Sequence, residues 1–222
     1  MLLAVDSSTQ WIGLALYDGS MVISEMIWKT VNHHSVEISP AIRSMLENSQ
    51  VRMEQLTALG VALGPGSFTS LRIGLAVVKG LSFALRIPII GISTFDFLVA
   101  GVSPEKSPLI GVLRAGRHRI ACQKYQFAGE RWKAEGTAYL TTVHELEQQI
   151  HIPTWVAGEL DAEDRQQLKR RWKNVQVVSP AQSVRRPAIL AELAWQQWQA
   201  GNVTDPVSLA PIYIHINEAI PA

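Results

Sequence analysis

The chain has 222 residues, 47% hydrophobic and 18% charged, with a formal net charge of +1. That balance excludes a disordered chain and gives no global attraction for nucleic acid or an anionic membrane, so any RNA contact has to come from a local patch. The length allows a well-buried core, as one large domain or two small ones. The lone cysteine, Cys122, excludes an internal disulfide framework and offers no metal-ligand pattern, which suits a reducing compartment. The opening "MLLAVDSST" has no basic leader region, and Asp6 interrupts its apolar stretch, so it reads as a strand and not a signal peptide. No apolar run reads as long enough to cross a bilayer, and a cytoplasmic protein is expected.

In chain order, "LLAV" (2–5) is a short buried strand. "WIGLALY" (11–17) and "MVISEMIWKT" (21–30) follow, separated by the turn signal "DGS". From His34 to Gln50, Ile38, Ile42, Met45 and Leu46 fall on one helical face. Pro40 either opens the regular part of that helix, capped by Ser39, or kinks it. "TALGVAL" (57–63) is a strand, 69–85 a helix and "IPIIGIS" (87–93) a strand. "GVSPEKSP" (101–108) is the best linker. Beyond it, 109–113, 119–127 and 131–140 read as strands and 142–150 as a helix. A strand at 154–158, a helix at 161–173, a strand at 175–179 and a helix at 187–201 complete the series.

Each half thus runs βββαβαβ, although the residues do not repeat. The expectation is an α/β protein of two similar domains, 1–103 and 104–222, each with a mixed sheet. The final helix is a candidate to pack back on the first domain.

Three stretches together point to a family: "VDSST" at the end of the first strand, "HHSVEISPAI" opening the first helix, and "GPGSFTSLRIGLAVVKGLSFALRIPIIGIST". The combination resembles the TsaB (YeaZ) family of bacterial tRNA-modification proteins, most closely over residues 1–98 and more weakly beyond, where "APIYIH" (210–215) adds to it. The resemblance implies the actin/sugar-kinase/Hsp70 fold, two ribonuclease-H-like domains in tandem. It implies a non-catalytic subunit that binds and activates a partner of the same fold, TsaD. Together with the ATPase TsaE, TsaD places a threonylcarbamoyl group, carried by threonylcarbamoyl-AMP, on N6 of adenosine 37 in tRNAs reading ANN codons. Contact with tRNA is then through the complex, and ATP or ADP is expected only within it. A homodimer through the same N-terminal helices is the other state such a surface allows.

The residues bear on that role. Phosphate-binding turns of this fold use an acid, then a glycine that lets the backbone approach the anion. Here the turn is Asp6, Ser7, Ser8 and Thr9, with Ser8 where glycine would serve best. Either the nucleotide site is weakened, or these side chains only cap a turn. The second turn, "LRAGRHR", carries Arg114 where the family pattern often has Asp, which disfavours Mg²⁺ there. Arg114, Arg117, His118 and Arg119 form either a solvated turn or a patch for tRNA phosphate or an acidic side chain. An active actin-fold phosphotransferase or ATPase is the rival reading, and both substitutions speak against it. The HxxxH metal motif of TsaD-type catalysts is missing, since Ile38 follows His34 by four, and no HExxH occurs. His33 and His34 read as helix-start residues, exposed or at an interface. Cys122 reads as a buried structural thiol. "LKRRWK" (168–173) is either an RNA contact with Trp172 stacking or the exposed end of a helix. No catalytic or metal-binding residue is assigned.

The segment Gly64, Pro65, Gly66, Ser67 lacks the ending of a Walker loop and reads as a sharp turn, with Ser67 or Thr69 capping the next helix. Ser70 stands where the family pattern has glycine. The helix carries only Arg72 and Lys79 as charges, so it calls for two apolar neighbours, its own sheet and either another helix or another protein. The surface expected to meet TsaD comprises His34, Ile38, Ile42, Met45, Arg72, Leu75, Ala76, Lys79, Gly80 and Phe83.

Overall fold

A computed structural model describes residues 1–31, 33–116, 119–170 and 173–214. The first half contains β1 (Leu2–Asp6), β2 (Trp11–Tyr17), β3 (Val22–Lys29), α1 (His34–Asn48), β4 (Ala58–Ala62), α2 (Phe68–Leu85), β5 (Ile89–Ile92) and α3 (Thr94–Ala100). The second contains β6 (Leu109–Arg114), β7 (Ile120–Ala128), β8 (Arg131–Thr141), α4 (Val143–Gln149), β9 (Thr154–Gly158), α5 (Ala162–Lys169), β10 (Val175–Val177) and α6 (Pro187–Gln199).

The two five-stranded sheets have the same topology. One runs β3-β2-β1-β4-β5 and the other β8-β7-β6-β9-β10, each with an antiparallel trio followed by parallel strands. The central strand β1 is buried on both faces, which explains its uninterrupted apolar run. On one face of the first sheet, Leu3, Val5, Leu14 and Leu59 pack with Ile38, Met45, Leu75 and Val78 from α1 and α2. On the other face, Leu2, Ala4, Ala15 and Ala58 pack with Leu190, Ala191 and Ala194 of α6. The second sheet receives α3 in turn, where Phe95, Leu98 and Val99 join Leu109, Leu113 and Tyr125. Each half therefore contributes a helix to the sheet of the other.

The sequence pattern leaves three corrections. Helix α3 was not expected: its seven residues, TFDFLVA, are too few to display a helical period. Helix α1 begins at His34 and Pro40 lies inside it, so Ser39 does not cap it. Helix α2 is, by length and composition, long and apolar enough to cross a membrane, contrary to the expectation of no such run. Here it packs on the first sheet through Leu71, Leu75 and Val78.

Candidate functional site

The turn after β1 is held from every side. Asp6 Oδ1 accepts from the Ser8 amide at 2.8 Å and from the Ser8 hydroxyl. The Ser8 hydroxyl also shares a 2.8 Å hydrogen bond with Thr94 at the start of α3. Ser7 donates to the Ser70 carbonyl at 2.9 Å, and the Ser67 amide donates to the Ser8 carbonyl at 2.7 Å. Glycine is required at two of these contacts: a Cβ on Gly66 would lie 2.1 Å from the Ser8 carbonyl oxygen, and one on Gly74 would lie 2.1 Å from Ser7 Oγ. Gly64, at φ +105°, joins Pro65 through a cis bond and starts the approach. The Ser67 hydroxyl then caps α2, accepting from the Ser70 amide at 3.4 Å, while Thr69 is exposed in the first turn. Ser70 is accommodated, buried with its hydroxyl 3.0 Å from that of Ser67.

The other oxygen of Asp6 belongs to a buried ionic group between the halves. Arg185, 5% exposed, donates from Nε to Asp6 Oδ2 at 2.8 Å, from Nη2 to Thr9 Oγ1 at 2.9 Å, and from Nη1 to Glu159 Oε1. Thr9 donates to Glu159 at 2.6 Å, and the Arg114 amide donates to Glu159 Oε2 at 3.0 Å. Burial by itself would raise the Glu159 carboxyl. The Arg185 guanidinium outweighs it, aided by the Thr9 and Arg114 hydrogen bonds, and holds Glu159 below the usual carboxylate range. Arg185 is stabilised as a cation despite its burial, because Asp6 and Glu159 face it. Glu159 and Arg185 are therefore both charged at neutral pH.

This arrangement decides the chemistry open to Asp6. A magnesium-bound nucleotide, the ligand the fold implies, needs a free carboxylate oxygen and an open backbone nest. Both Asp6 oxygens are engaged, and the Ser8 side chain occupies the turn. The donor set present does not fit that group. Neither Glu159 nor Arg185 was anticipated from sequence. Arg185 lies 179 positions from Asp6, and no local spacing connects them.

Arg114, at the corresponding turn of the second half, is not simply solvated: its guanidinium pairs with Asp161 and Asp164 at the start of α5. Arg117, His118 and Trp172, named for a basic patch and an RNA stack, lie outside the described residues.

The expected partner surface divides into two sets. His34, Ile38, Ile42, Met45 and Leu75 are buried in the chain's own core and are not available to a partner. His34 is neither exposed nor at a surface; its Nε2–H donates to the Thr9 carbonyl at 2.7 Å, tying α1 to the turn. Periodicity found the apolar face of α1, but that face covers the sheet. Helix α2 behaves differently. Arg72, Ala76, Gly80 and Phe83 are exposed along one face, with Lys79 half-buried beside them. A Cβ on Gly80 would meet nothing within 4 Å. At the N-terminal end, Phe68 stacks on Tyr213 with ring centroids 5.2 Å apart, and the Arg72 guanidinium lies 3.7 Å over the Phe68 ring. Cys122 is buried, its thiol pushed up to about 12 by burial.

The protein tRNA threonylcarbamoyladenosine biosynthesis protein TsaB of Bacillus subtilis is 33% identical over 126 residues, 57% of this chain and 55% of its own length. The matched part therefore spans just over half of that relative. The TsaB protein of Buchnera aphidicola (subsp. Schizaphis graminum) is 27% identical over 153 residues, 68% of this chain and 72% of its own. Among solved structures, YeaZ from Pseudomonas aeruginosa superposes with a TM-score of 0.75 over 96% of this chain and 99% of that one, at 20% identity. The likeness confirms the two-sheet actin-like fold. Residues 22–186 match the family model described as TsaD: tRNA N6-adenosine threonylcarbamoyltransferase; the chain belongs to that family and, within it, to the TsaB (YeaZ) group.

Proposed function

We propose that this chain acts in threonylcarbamoyladenosine formation on tRNA as a non-catalytic subunit that binds and activates TsaD. The TsaB names of its relatives support the pathway. The observation that carries the subunit role is the outward face of α2, where Arg72, Ala76, Gly80 and Phe83 are exposed on a helix otherwise apolar. Small residues let a second helix approach closely, and an apolar face of this kind is characteristic of protein contacts. Arg72 and Lys79 would rim the contact. TsaE and tRNA join through the complex, and a homodimer through the same face would compete with TsaD. The engagement of Asp6 by Arg185 and Ser8 supports a chain that does not itself transfer phosphate.

The experiment is co-purification with TsaD, followed by a threonylcarbamoyl-transfer assay with and without the chain. Ala76→Glu places a charge on the exposed face without touching the core. The variant is expected to fold normally, to lose TsaD binding and to fail to stimulate transfer. Normal TsaD binding by a folded Ala76→Glu chain would overturn the proposal.

A further inference from the structure

Strand β3 is the outer edge of the first sheet, paired only with β2. One step past that ladder, the Thr30 amide donates to the Gln10 carbonyl at 2.8 Å. Backbone groups along a strand point alternately to its two sides, so those of Met26 and Trp28 face β2 as Thr30 does. Those of Glu25, Ile27 and Lys29 point away from the sheet. No other element among the described residues donates to them or accepts from them.

An open edge is a template for a further strand, and folded sheets normally blunt it. The other edges are blunted. Thr204 bridges β5 at Ile89, and β10 has only three residues. Strand β8 exposes Arg131, Lys133 and Glu135, and its register against β7 is broken. By contrast, β3 has eight residues, no proline and one exposed charge, Lys29. Three consecutive apolar residues, Met21, Val22 and Ile23, are exposed at its beginning. Its ladder is irregular at Ile23 and regular from Ser24 to Lys29.

We propose that β3 pairs with β3 of a second copy of this chain, antiparallel and centred on Ile27. The residues themselves select the register. Outward groups bond only when the odd-numbered positions of one copy oppose those of the other. Under a twofold axis, centring on Glu25 sets two carboxylates face to face, and centring on Lys29 sets two ammonium groups face to face. Centring on Met26 or Trp28 sets both charges against apolar side chains. Centring on Ile27 sets Glu25 opposite Lys29 twice, with Ile27 opposite its own copy. Lys29 makes no ion pair among the described residues, so it is free to meet the Glu25–Arg186 pair of the second copy. On the other face of the strand, half-buried Met26 comes opposite half-buried Trp28. At each end of the contact, Ile23 lies beside the exposed Val31 of the second copy. The two five-stranded sheets thereby become one of ten strands. Helix α2 packs over β1, β4 and β5, and β5 is the opposite edge from β3, so this pairing is independent of the proposed TsaD contact.

The test is sedimentation equilibrium of the full chain over a wide range of concentration, where a concentration-dependent dimer is expected. Lys29→Glu, at an exposed site, sets like charges opposite at both ends and should weaken the dimer by about tenfold or more. Ala76→Glu, on the outer face of α2, should leave the dimer unchanged. Ile27→Cys lies on the axis and should join two copies through a short thiol-to-thiol cross-linker, since the native Cys122 is buried. Each variant is checked for an unchanged melting temperature. Four results would each overturn the proposal: a monomer at every concentration, a Lys29→Glu dimer as tight as the parent, a dimer lost in Ala76→Glu, or a dimeric Ile27→Cys chain that does not cross-link. The third would place self-association on α2 instead.

Discussion

The two halves of the molecule build the same sheet and then treat the helix between its fourth and fifth strands in opposite ways. In the second half this is α5, eight residues with Glu163, Asp164, Arg165 and Lys169 as charges and only Leu168 buried. Its outer face is hydrated and needs nothing. In the first half it is α2, eighteen residues with two charges, whose inner face covers the sheet and whose outer face stays apolar and small. Burial in the chain's own core explains Leu71, Leu75 and Val78, but not Ala76, Gly80 or Phe83. A shared topology thus fixes where a helix lies, and composition decides whether its outer face is charged or apolar. The turns after β1 and β6 differ in the same spirit. The first is sealed by Arg185 and Ser8, whereas the second directs Arg114 to the start of α5.

The contrast can be broken at several points. The largest effect is expected at the seal. Arg185→Met would leave Asp6 and Glu159 buried without their cation and should cost about 3–5 kcal/mol in chemical denaturation. An effect below about 1 kcal/mol would mean the halves are not joined there. Next come the two glycines of α2. Gly74→Ala drives a Cβ toward Ser7 Oγ and should cost roughly 1–3 kcal/mol. Gly80→Ala enters open space and should stabilise the free chain by about 0.5–1 kcal/mol. Equal losses at both positions would show that the outer face of α2 is covered within the chain.

Acid titration should reveal the seal as well. The folded Glu159 carboxyl lies below its ordinary value of 4.5, so the unfolded chain takes up that proton more readily. Its contribution is complete above that value and is lost as pH falls through the lower, folded one. Arg185→Met should abolish this part of the pH dependence of stability. The smallest effect belongs to α5: Gln166→Ala, on an exposed face, should change stability by less than about 0.5 kcal/mol and leave TsaD binding unchanged.

Much of the fold was legible in the residues. Apolar runs and turn signals marked all ten strands found among the described residues, because strand burial and turn chemistry are written locally. The exception was α3, whose seven residues are too short for a period and gain their stability from the second sheet. The site was legible only in part. Asp6, Ser8 and the Gly64–Ser67 turn stand out in sequence, and the structure places the Ser8 side chain against Asp6 and Thr94. Glu159, Arg185 and Thr94 do not stand out, because each is an ordinary residue at the end of an element until the fold brings it to Asp6.

The sequence by itself determined the doubled βββαβαβ order, the capped and glycine-dependent start of α2, and the anomaly of a helix apolar on too many sides. These follow from periodicity and backbone preference, which act over a few neighbouring residues. Only the tertiary structure decided which apolar faces are spent on the chain's own sheets: Ile38, Ile42, Met45 and Leu75 are, whereas Ala76, Gly80 and Phe83 are not. It alone placed a buried arginine between two carboxylates from opposite halves. Burial and charge pairing depend on distances between segments far apart in the chain, and those distances are set only when both sheets have formed and exchanged their helices.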